Sequence, residues 1–438
     1  MLELDLDRLR REIAASERVR VYGTVTSVNG IMRSTLPAAL GDQCEIITGP
    51  DRSVTAEVIG FTDGTTHIVP YETPETISAG MAVARLGKNF KVPVGRQLLG
   101  RVLDGLGRPL DGLGPLQASE RRPLRTASPA ALTRARIRHP FVTGQRAIDG
   151  LLTCGRGQRV GIFSGSGVGK SMLLGEIAKN AESDVNVITL VGERGREVKP
   201  FLDDCLGDKG RARSVVITAT CDEPALMRIR AARVAVTIAD YFREQGQNVL
   251  FLLDSLTRMA MAQRELGLSL GEPPSARGYT PSVFQLLATL IECLGNSDRG
   301  SITGILTVLV DGDDLDEPIS DAVRSLVDGH IVLDRRLAEK GHYPAIDIAR
   351  SISRVAHDII GEAHRMAAQK VRAIMAVYAE VEDLIRIGAY ARGASPQIDK
   401  AIELRPIVDQ FLRQAIGTKN TFAETRAALE AIAARWPY

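Results

Sequence analysis

A short glycine-rich run that ends in Lys-Ser constrains the fold more than any other stretch of this sequence. It reads Ser164-Gly-Ser-Gly-Val-Gly-Lys-Ser171, follows the apolar segment Arg159–Phe163 and leads into the helix-like segment Lys170–Lys179. Glycines let backbone N–H groups turn toward an anion, and the start of a helix adds its positive dipole end. The pattern therefore predicts a strand–loop–helix unit that binds a nucleotide triphosphate, although Ser164 stands where the strict pattern has Gly.

The residues of this run have distinct expected roles. The predicted nucleotide contacts are Gly165, Ser166, Gly167, Val168, Gly169, Lys170, Ser171 and Met172. Lys170 is expected to reach the β- and γ-phosphates, and the Ser171 hydroxyl is expected to bind Mg²⁺. The alternative is a glycine-rich turn that binds nothing. The Lys-Ser ending and the flanking segments favour the phosphate site.

Bulk composition argues against several functional classes. The 438 residues predict two or three domains, and 44% apolar with 25% charged residues is typical of globular domains. A net charge of +2 and 4% aromatic residues argue against a nucleic-acid partner.

Five scattered cysteines indicate free thiols in a reducing compartment, and the acidic start Met1–Asp7 does not suit a signal peptide. With no apolar run near the ~20 residues that span a bilayer, the sequence predicts a soluble, cytosolic protein.

Two segments precede the phosphate-binding run. Residues 1–19 space four apolar residues, from Leu2 to Ile13, as one helical stripe. This indicates either a helix packed on its own domain or an arm that binds a partner. Residues 20–92 alternate short β-rich runs with turn residues, which predicts a small β-barrel. Six Lys and Arg against seven Asp and Glu give that segment a net charge of −1, which suits a structural or oligomer-forming barrel better than a nucleic-acid-binding one.

The remaining chain divides into two further regions. Residues 93–362 alternate strand-like and helix-like stretches, which predicts a P-loop nucleotide domain with a largely parallel, RecA-like sheet covered by helices on both faces. Residues 363–438 repeat apolar positions every three or four residues, as from Val371 to Ile385, which predicts helices. The predicted fold class is an α/β P-loop core with an N-terminal small β-barrel and a C-terminal helical domain.

Three carboxylates are candidates for phosphoryl-transfer chemistry. Asp254 ends the apolar run Val249–Asp254, where an acid beside a phosphate loop would hold Mg²⁺ through water. Alternatively, it only caps the helix that follows at Ser255. Glu193 follows another strand-like run and could polarise water against the γ-phosphate, while Glu197 could orient the water shell of the metal. Both could instead be charges solvated at a strand end, and spacing alone leaves this open.

Two more residues stand out less clearly. Arg354 is, from the sequence, only one of many arginines. Tyr343 could stack on an adenine, although a Tyr before a Pro is more often a packing residue.

Several segments together resemble the catalytic subunits of rotary and type III secretion ATPases. They are Gly144–Asp149, Phe163–Ser171, Gly192–Val198, Met259–Arg264, Leu337–Tyr343 and Pro344–Ser353. The run Gly192–Val198 looks like the type III secretion form, since Gly195 stands where the ATP synthase β subunit has Thr. Phe163–Ser171 and Leu337–Tyr343 are similar to the flagellar export ATPase in particular. The likeness extends from about Tyr22 into the C-terminal region and leaves residues 1–19 outside.

The resemblance implies a role for each matching residue. Lys170, Glu193 and Arg354 would be catalytic: Lys170 on the phosphates, Glu193 as the catalytic carboxylate, and Arg354 as an arginine finger reaching a neighbouring subunit's site. Ser171, Asp254 and Glu197 would hold Mg²⁺, the last two through water. Tyr343 and Tyr390 would border the adenine of ATP.

The implied function is a cytoplasmic Mg²⁺-dependent ATPase that energises type III protein export, of flagellar components in particular, as a homohexamer. The implied partners are a stator-like regulatory export protein at residues 1–19, a central-stalk-like export protein, the export gate, and chaperone–substrate complexes, with no nucleic acid. The resemblance leaves open peripheral association with the inner face of the cytoplasmic membrane.

Three rival functions share parts of this pattern. The ATPase of a virulence injectisome has the same catalytic residues. A Rho-like ring helicase would translocate nucleic acid, against which the barrel's charge and the scarcity of aromatic residues argue. A rotary ATP synthase subunit is disfavoured because one chain here has a full catalytic set together with Arg354, which suits a homohexamer.

Overall fold

The computed structural model describes residues 20–28, 31–72, 76–87, 90–118, 120–124, 128–310 and 314–438. These residues form two compact units. The first comprises the described residues up to Lys91 together with Glu265–Glu272, and the second comprises those from Val92 to Arg264 and from Pro273 to Tyr438. The predicted partner-binding arm, residues 1–19, lies outside the described residues.

A closed antiparallel barrel forms the first unit, in the strand order β1-β2-β5-β4-β3-β6. Its strands are β1 Tyr22–Ser27, β2 Met32–Ser34, β3 Gln43–Gly49, β4 Arg52–Thr62, β5 Thr65–Pro70 and β6 Ala82–Gly87. Apolar side chains such as Val25, Ile46, Val58 and Val83 fill its interior. Closure leaves no strand edge unpaired, and the predicted barrel is confirmed. The three-residue strand β2 was not foreseen.

The strands that follow the barrel mostly build one sheet. They are β7 Lys91–Val94, β8 Val102–Leu103, β9 Glu120–Pro123, β10 Pro140–Phe141, β11 Cys154–Gly155, β12 Arg159–Ser164, β13 Val185–Val191, β14 Ser214–Ala219, β15 Asn248–Asp254, β16 Gly295–Asn296, β17 Ser301–Leu309, β18 Gly329–Leu333 and β19 Ile346–Ser353. The main sheet has the order β19-β18-β12-β17-β15-β13-β14-β8. Its strands run parallel from β18 to β8, whereas β19 at the edge is antiparallel to β18. The predicted largely parallel sheet is therefore confirmed.

Helices cover this sheet and fill the C-terminal region. They are α1 Arg146–Leu151, α2 Lys170–Asn180, α3 Gly195–Pro200, α4 Gly207–Ala212, α5 Ala225–Glu244, α6 Leu256–Ser269, α7 Pro281–Glu292, α8 Pro318–Leu326, α9 Arg335–Glu339, α10 Ala356–Ile359, α11 Glu362–Arg386, α12 Pro396–Leu412 and α13 Phe422–Ala434. A π-helical turn, Phe201–Leu206, joins α3 to α4. Among the described residues, none of the helices combines the length and apolarity that crossing a membrane requires.

The C-terminal helices share a core with the nucleotide-binding sheet. Val371, Ile374 and Phe411 from the helices belong to the same buried cluster as Val160 and Ile331 from the sheet. Val371 and Ile374 belong to the apolar repeat that predicted helix α11. Burial on this shared core stabilises helices whose apolar faces would otherwise be exposed. The five cysteines are free thiols, as predicted.

The parallel register aligns the carboxyl ends of three neighbouring strands on the same side of the sheet. Asp254 of β15 pairs with Leu190, one residue before the end of β13. Ser164, the last residue of β12, pairs with Leu309, the last residue of β17, which also pairs with β15. The chain that leaves β12, β13 and β15 therefore starts from the same side of the sheet, where ligands bind in open α/β folds.

A close approach between α2 and the π-helical turn supplies a test of this packing. A Cβ added to Gly175 would lie 2.5 Å from the Cys205 carbonyl oxygen. Gly to Ala inside a helix normally stabilises a protein by ~0.5–1 kcal/mol. We expect Gly175→Ala to lower the free energy of unfolding by about 1–3 kcal/mol instead, because overpacking forces the two backbones apart. Urea denaturation measures the difference.

The matched control is Gly195→Ala, since a Cβ there would come no closer than 3.9 Å to Thr220. This variant should be as stable as the wild type or slightly more so. Equal stability of both variants would contradict the predicted close packing.

Candidate active site

The glycine-rich run forms a turn between β12 and α2. Gly167 and Gly169 have φ values of 78° and 89°, in the left-handed region that favours glycine. Gly169, which has no side chain to cap a helix, occupies the N-cap position of α2. The first backbone N–H groups of a helix have no acceptor within it, so the start of α2 suits the binding of a phosphate. Ser164 is the buried last residue of β12.

Lys170 lies between two carboxylates. Its Nζ is 2.5 Å from Asp254 Oδ1 and 3.7 Å from Glu193 Oε1. The same oxygen of Asp254 accepts a 2.7 Å hydrogen bond from the Thr307 hydroxyl. The three charged side chains are only 11%, 5% and 15% exposed for Lys170, Asp254 and Glu193. Low exposure strengthens the attraction within the group. Asp254, for which a helix cap was the alternative, thus has Lys170 and Thr307 as hydrogen-bond partners.

Burial and the neighbouring charges change the acidity of Glu193. Its pKa is raised above its ordinary value, mainly because burial disfavours the charged form and secondarily because Asp254 repels a second negative charge. Lys170 and Arg258 act in the opposite direction. A carboxylate with a raised pKa is a better proton acceptor while still ionised at neutral pH. The simple alternative of a freely solvated charge therefore does not fit Glu193.

A cavity of about 380 Å³ opens beside these groups. It is lined by Ser171, Leu190, Glu193, Arg196, Glu197, Pro200, Phe201, Cys205 and Asp254. Oxygen ligands are what Mg²⁺ prefers, and Ser171 and Asp254, which carry such oxygens, both line this cavity. The donor set therefore fits Mg²⁺. Glu197 is 47% exposed and lies 3.5 Å from Arg194, so its carboxylate belongs to an exposed ion pair.

Tyr343 lies against the phosphate loop. A Cβ added to Gly169 would be 3.3 Å from its ring, and the side chain is 45% exposed. The backbone N–H of Gln414 donates to the Tyr343 carbonyl at 2.9 Å. This bond places the loop between α12 and α13, including the exposed Ile416, near the tyrosine. Sequence reasoning missed this loop, because nothing in its composition indicates a ligand.

Tyr390 is held elsewhere. Its hydroxyl lies 3.1 Å from Asp399 and 3.3 Å from the Ser395 carbonyl oxygen. These partners belong to the connection between α11 and α12 and to the first turn of α12. The resemblance grouped Tyr390 with Tyr343, whereas the hydrogen bonds of the hydroxyl stay within its own segment.

Arg354 lies near the amino-terminal ends of the parallel strands, whereas the phosphate loop follows the carboxyl end of β12. Ser353, just before it, pairs with Gly329, which pairs in turn with Val160 near the start of β12. The phosphate loop follows Ser164, four residues further along β12, which corresponds to about 13 Å at ~3.3 Å per residue. The antiparallel direction of β19 causes this separation. The exposed Arg354 is therefore not part of the group around Lys170 in its own chain.

The group around Lys170 yields a stability prediction that requires no ligand. Lys170→Met removes the cation that lies between Asp254 and Glu193 and leaves only the more distant influence of Arg258 on Glu193. We expect it to cost about 3–5 kcal/mol, as when one partner of a buried ion pair is removed. Because the substitution raises the pKa of Glu193 further, the cost should be larger at pH 8 than at pH 5: a carboxyl with a raised pKa loses stability as pH rises. Thermal unfolding at the two pH values measures this.

The control is Lys199→Met, which changes an exposed lysine of α3. It should shift the unfolding temperature little and equally at both pH values. A Lys170→Met protein that is as stable as this control would contradict the ion-pair geometry.

Comparison with known proteins agrees with this architecture. Three domain families match the chain: the β-barrel domain of the ATP synthase alpha/beta family at residues 18–87, its nucleotide-binding domain at residues 144–353, and the T3SS EscN ATPase C-terminal domain at residues 360–431. The flagellum-specific ATP synthase of Treponema pallidum is 49% identical over 94% of this chain and 93% of its own length.

Two solved structures are also similar over nearly the whole chain. The assembled ATPase EscN of the type III secretion system of enteropathogenic E. coli has a TM-score of 0.89 and 44% identity, covering 94% of this chain and 100% of that chain. EscN in complex with its central stalk EscO has a TM-score of 0.87 and 43% identity at the same coverage. The chain therefore belongs to the ATP synthase alpha/beta family, in its branch of flagellum-specific and type III secretion ATPases, and is an ATP-hydrolysing enzyme.

Proposed function

We propose that this ATPase powers type III protein export in its flagellar form, working as a homohexameric ring. The observation that carries the chemistry is the position of Lys170 between Asp254 and Glu193 at the mouth of the phosphate loop. The higher identity to a flagellum-specific relative than to the injectisome ATPase EscN favours the flagellar form. An injectisome ATPase remains the alternative, since the same side chains would serve both.

The proposed roles follow from charge and reach. The triphosphate would replace the carboxylates as partners of Lys170, and the first N–H groups of α2 would donate to its oxygens. Ser171 would hold Mg²⁺, with Asp254 and Glu197 acting through water; the ion, when bound, neutralises charge on the β- and γ-phosphates. Glu193 would accept a hydrogen bond from the attacking water and polarise it. On this assignment the rate should fall as pH falls through the raised pKa of Glu193.

Arg354 is proposed to act on a neighbouring copy. Its backbone lies near the amino-terminal ends of the parallel strands, away from the phosphate loop, which argues against a role in its own site. Its exposure leaves the guanidinium able to reach another subunit; within its own chain Nη2 donates to the Arg324 carbonyl at 3.3 Å. Arginines supplied in this way raise the rate of nucleotide hydrolysis by about 10³–10⁵-fold. A ring in which every copy contributes this residue to the next would complete each site.

The base of ATP is proposed to lie against Tyr343. Aromatic rings stack on bases, and this ring is exposed beside the phosphate loop. The loop between α12 and α13 would form the other wall. Tyr390, proposed from the family resemblance, would have to reach the base from the connection between α11 and α12.

The remaining proposals concern partners and division of labour. Residues 1–19 would bind a stator-like regulatory export protein. A central-stalk-like protein would bind the assembled ring, since the similar assembled EscN is in complex with its central stalk EscO. The export gate and chaperone–substrate complexes would be further partners, with the ATPase cytoplasmic and peripheral to the membrane. We propose the division into an arm 1–19, a barrel 20–92, an ATPase domain 93–362 and a helical domain 363–438.

Two substitutions separate binding from chemistry. Lys170→Ala should reduce hydrolysis to background, because the γ-phosphate loses its cation. Glu193→Gln should bind ATP with nearly wild-type affinity and hydrolyse it at least 100-fold more slowly, since an amide cannot accept a proton from water (general-base catalysis contributes roughly 10²–10⁴-fold). Calorimetric ATP binding and steady-state hydrolysis measure the two effects. Near wild-type turnover by Glu193→Gln would remove Glu193 from its proposed role.

The proposed action of Arg354 across an interface predicts complementation. Lys170→Ala and Arg354→Ala should each be inactive alone. In a mixed ring, some interfaces pair an intact Lys170 site with an intact Arg354 donor, so part of the activity should return. The hydrolysis rate of the mixture is compared with that of each variant.

Co-assembly of the two proteins is verified by size-exclusion chromatography of differently tagged chains. A mixture that stays inactive despite co-assembly would contradict action across the interface. Normal hydrolysis by Arg354→Ala alone would make Arg354 a structural residue.

A further inference from the structure

We infer that Gln414 is a positioning residue that sets the wall of the base site without touching the phosphates. This inference rests on the proposed ATP site, in which Tyr343 faces the base. Gln414 follows directly on helix α12 and its C-cap, and is 8% exposed. It is a buried polar side chain that the chemistry at Lys170 does not use.

Every hydrogen-bonding group of the Gln414 side chain has a partner from another segment or loop position. Its Oε1 accepts from the Arg146 backbone N–H at 2.9 Å. Its Nε2 donates to the Gly144 carbonyl at 2.7 Å and to the Thr418 carbonyl at 2.9 Å. One amide thus ties the segment before α1 and its first residue to the loop between α12 and α13. A buried amide with all partners in place specifies one arrangement, because each lost bond leaves a buried group unpaired.

The main chain of the same residue holds Tyr343. The Gln414 N–H donates to the Tyr343 carbonyl at 2.9 Å, so the side-chain bonds fix the peptide that fixes the tyrosine. The tyrosine ring in turn lies beside Gly169 of the phosphate loop. A displaced Gln414 would therefore shift the base-facing ring, while Lys170 stays held by Asp254.

The loop has a second anchor on the phosphate-loop helix. Gly417 N–H donates to Glu176 Oε2 at 3.0 Å, and that carboxylate belongs to α2. Glu176 is also held by Lys179 at 2.6 Å. The loop is thus tied at Gln414 and at Gly417, with the exposed Ile416 between the two. Loss of the first anchor should loosen the base wall and leave the phosphate end of the site unchanged.

The test compares a ligand that has a base with one that lacks it. In Gln414→Met, which keeps side-chain volume and removes the hydrogen bonds, the KM for ATP should rise about tenfold with kcat within about twofold. The inhibition constant of inorganic tripolyphosphate, measured with Mg²⁺ as a competitor of ATP, should stay unchanged. The matched control is Gln410→Met, an exposed glutamine one turn earlier on α12, which should alter neither quantity.

A second variant keeps the inference testable if Gln414→Met folds poorly. In Gln414→Glu a carboxylate oxygen would face two carbonyl oxygens, whereas the protonated acid can donate to one of them. The KM for ATP should therefore fall toward the wild-type value as pH is lowered from 8 to 6, relative to the wild type at each pH. The charged or titratable groups around position 414 include Arg146, Asp149, Glu176, His342 and Arg413; Asp149 accepts from the Gly144 N–H, and burial raises its pKa to about 7. They are common to both proteins, so their titration cancels in the ratio.

Two outcomes would overturn the inference. One is an unchanged KM for ATP in both variants; the other is an equal rise in the KM for ATP and in the tripolyphosphate constant, which would mean general loosening of the site. The proposed function fails separately: it is Lys170→Ala that must lose hydrolysis, whatever the Gln414 variants do.

Discussion

A buried ammonium group between two carboxylates is the interaction on which this site depends. Lys170 brings one positive charge to a place where Asp254 and Glu193 bring two negative ones. Without the lysine, the two acids could not both stay ionised at low exposure. With it, one carboxylate is tightly paired and the other retains a raised pKa. The parallel strands make this possible, because the carboxyl ends of β12, β13 and β15 lie on the same side of the sheet.

The sequence alone predicted the parts of the fold that depend on local pattern. The apolar runs of β13 and β15 and the repeat along α11 are recognisable because burial on both sheet faces, or on one helix face, determines residue type. The glycine loop is recognisable for the same reason, since Gly167 and Gly169 adopt backbone angles that other residues avoid. The short strand β2 escaped notice because three residues hold too little periodicity.

Long-range features could not be predicted in this way. Gln414 and Gly144 are 270 positions apart, and no local signal links them. The direction of β19 is likewise a property of the assembled sheet, and it decides at which end of the parallel strands Arg354 lies. For Glu193 the sequence left a solvated and a catalytic interpretation open, and for Asp254 it left a helix cap and a metal-associated acid open. Their burial and their distances from Lys170 favour the second, because a freely solvated carboxylate would not lie at 5% or 15% exposure beside a lysine.

The antiparallel edge strand β19 also bears on how copies of the chain assemble. If Arg354 of one copy reaches the phosphate loop of another, donor and acceptor come from opposite ends of the strands of the same sheet. When copies meet head to tail, such a contact is heterologous, and it closes into a ring where the rotation between copies allows. Two chains joined by one such head-to-tail contact leave one donor and one acceptor unused. A closed ring uses both in every copy, so the direction of one strand suits the proposed homohexamer.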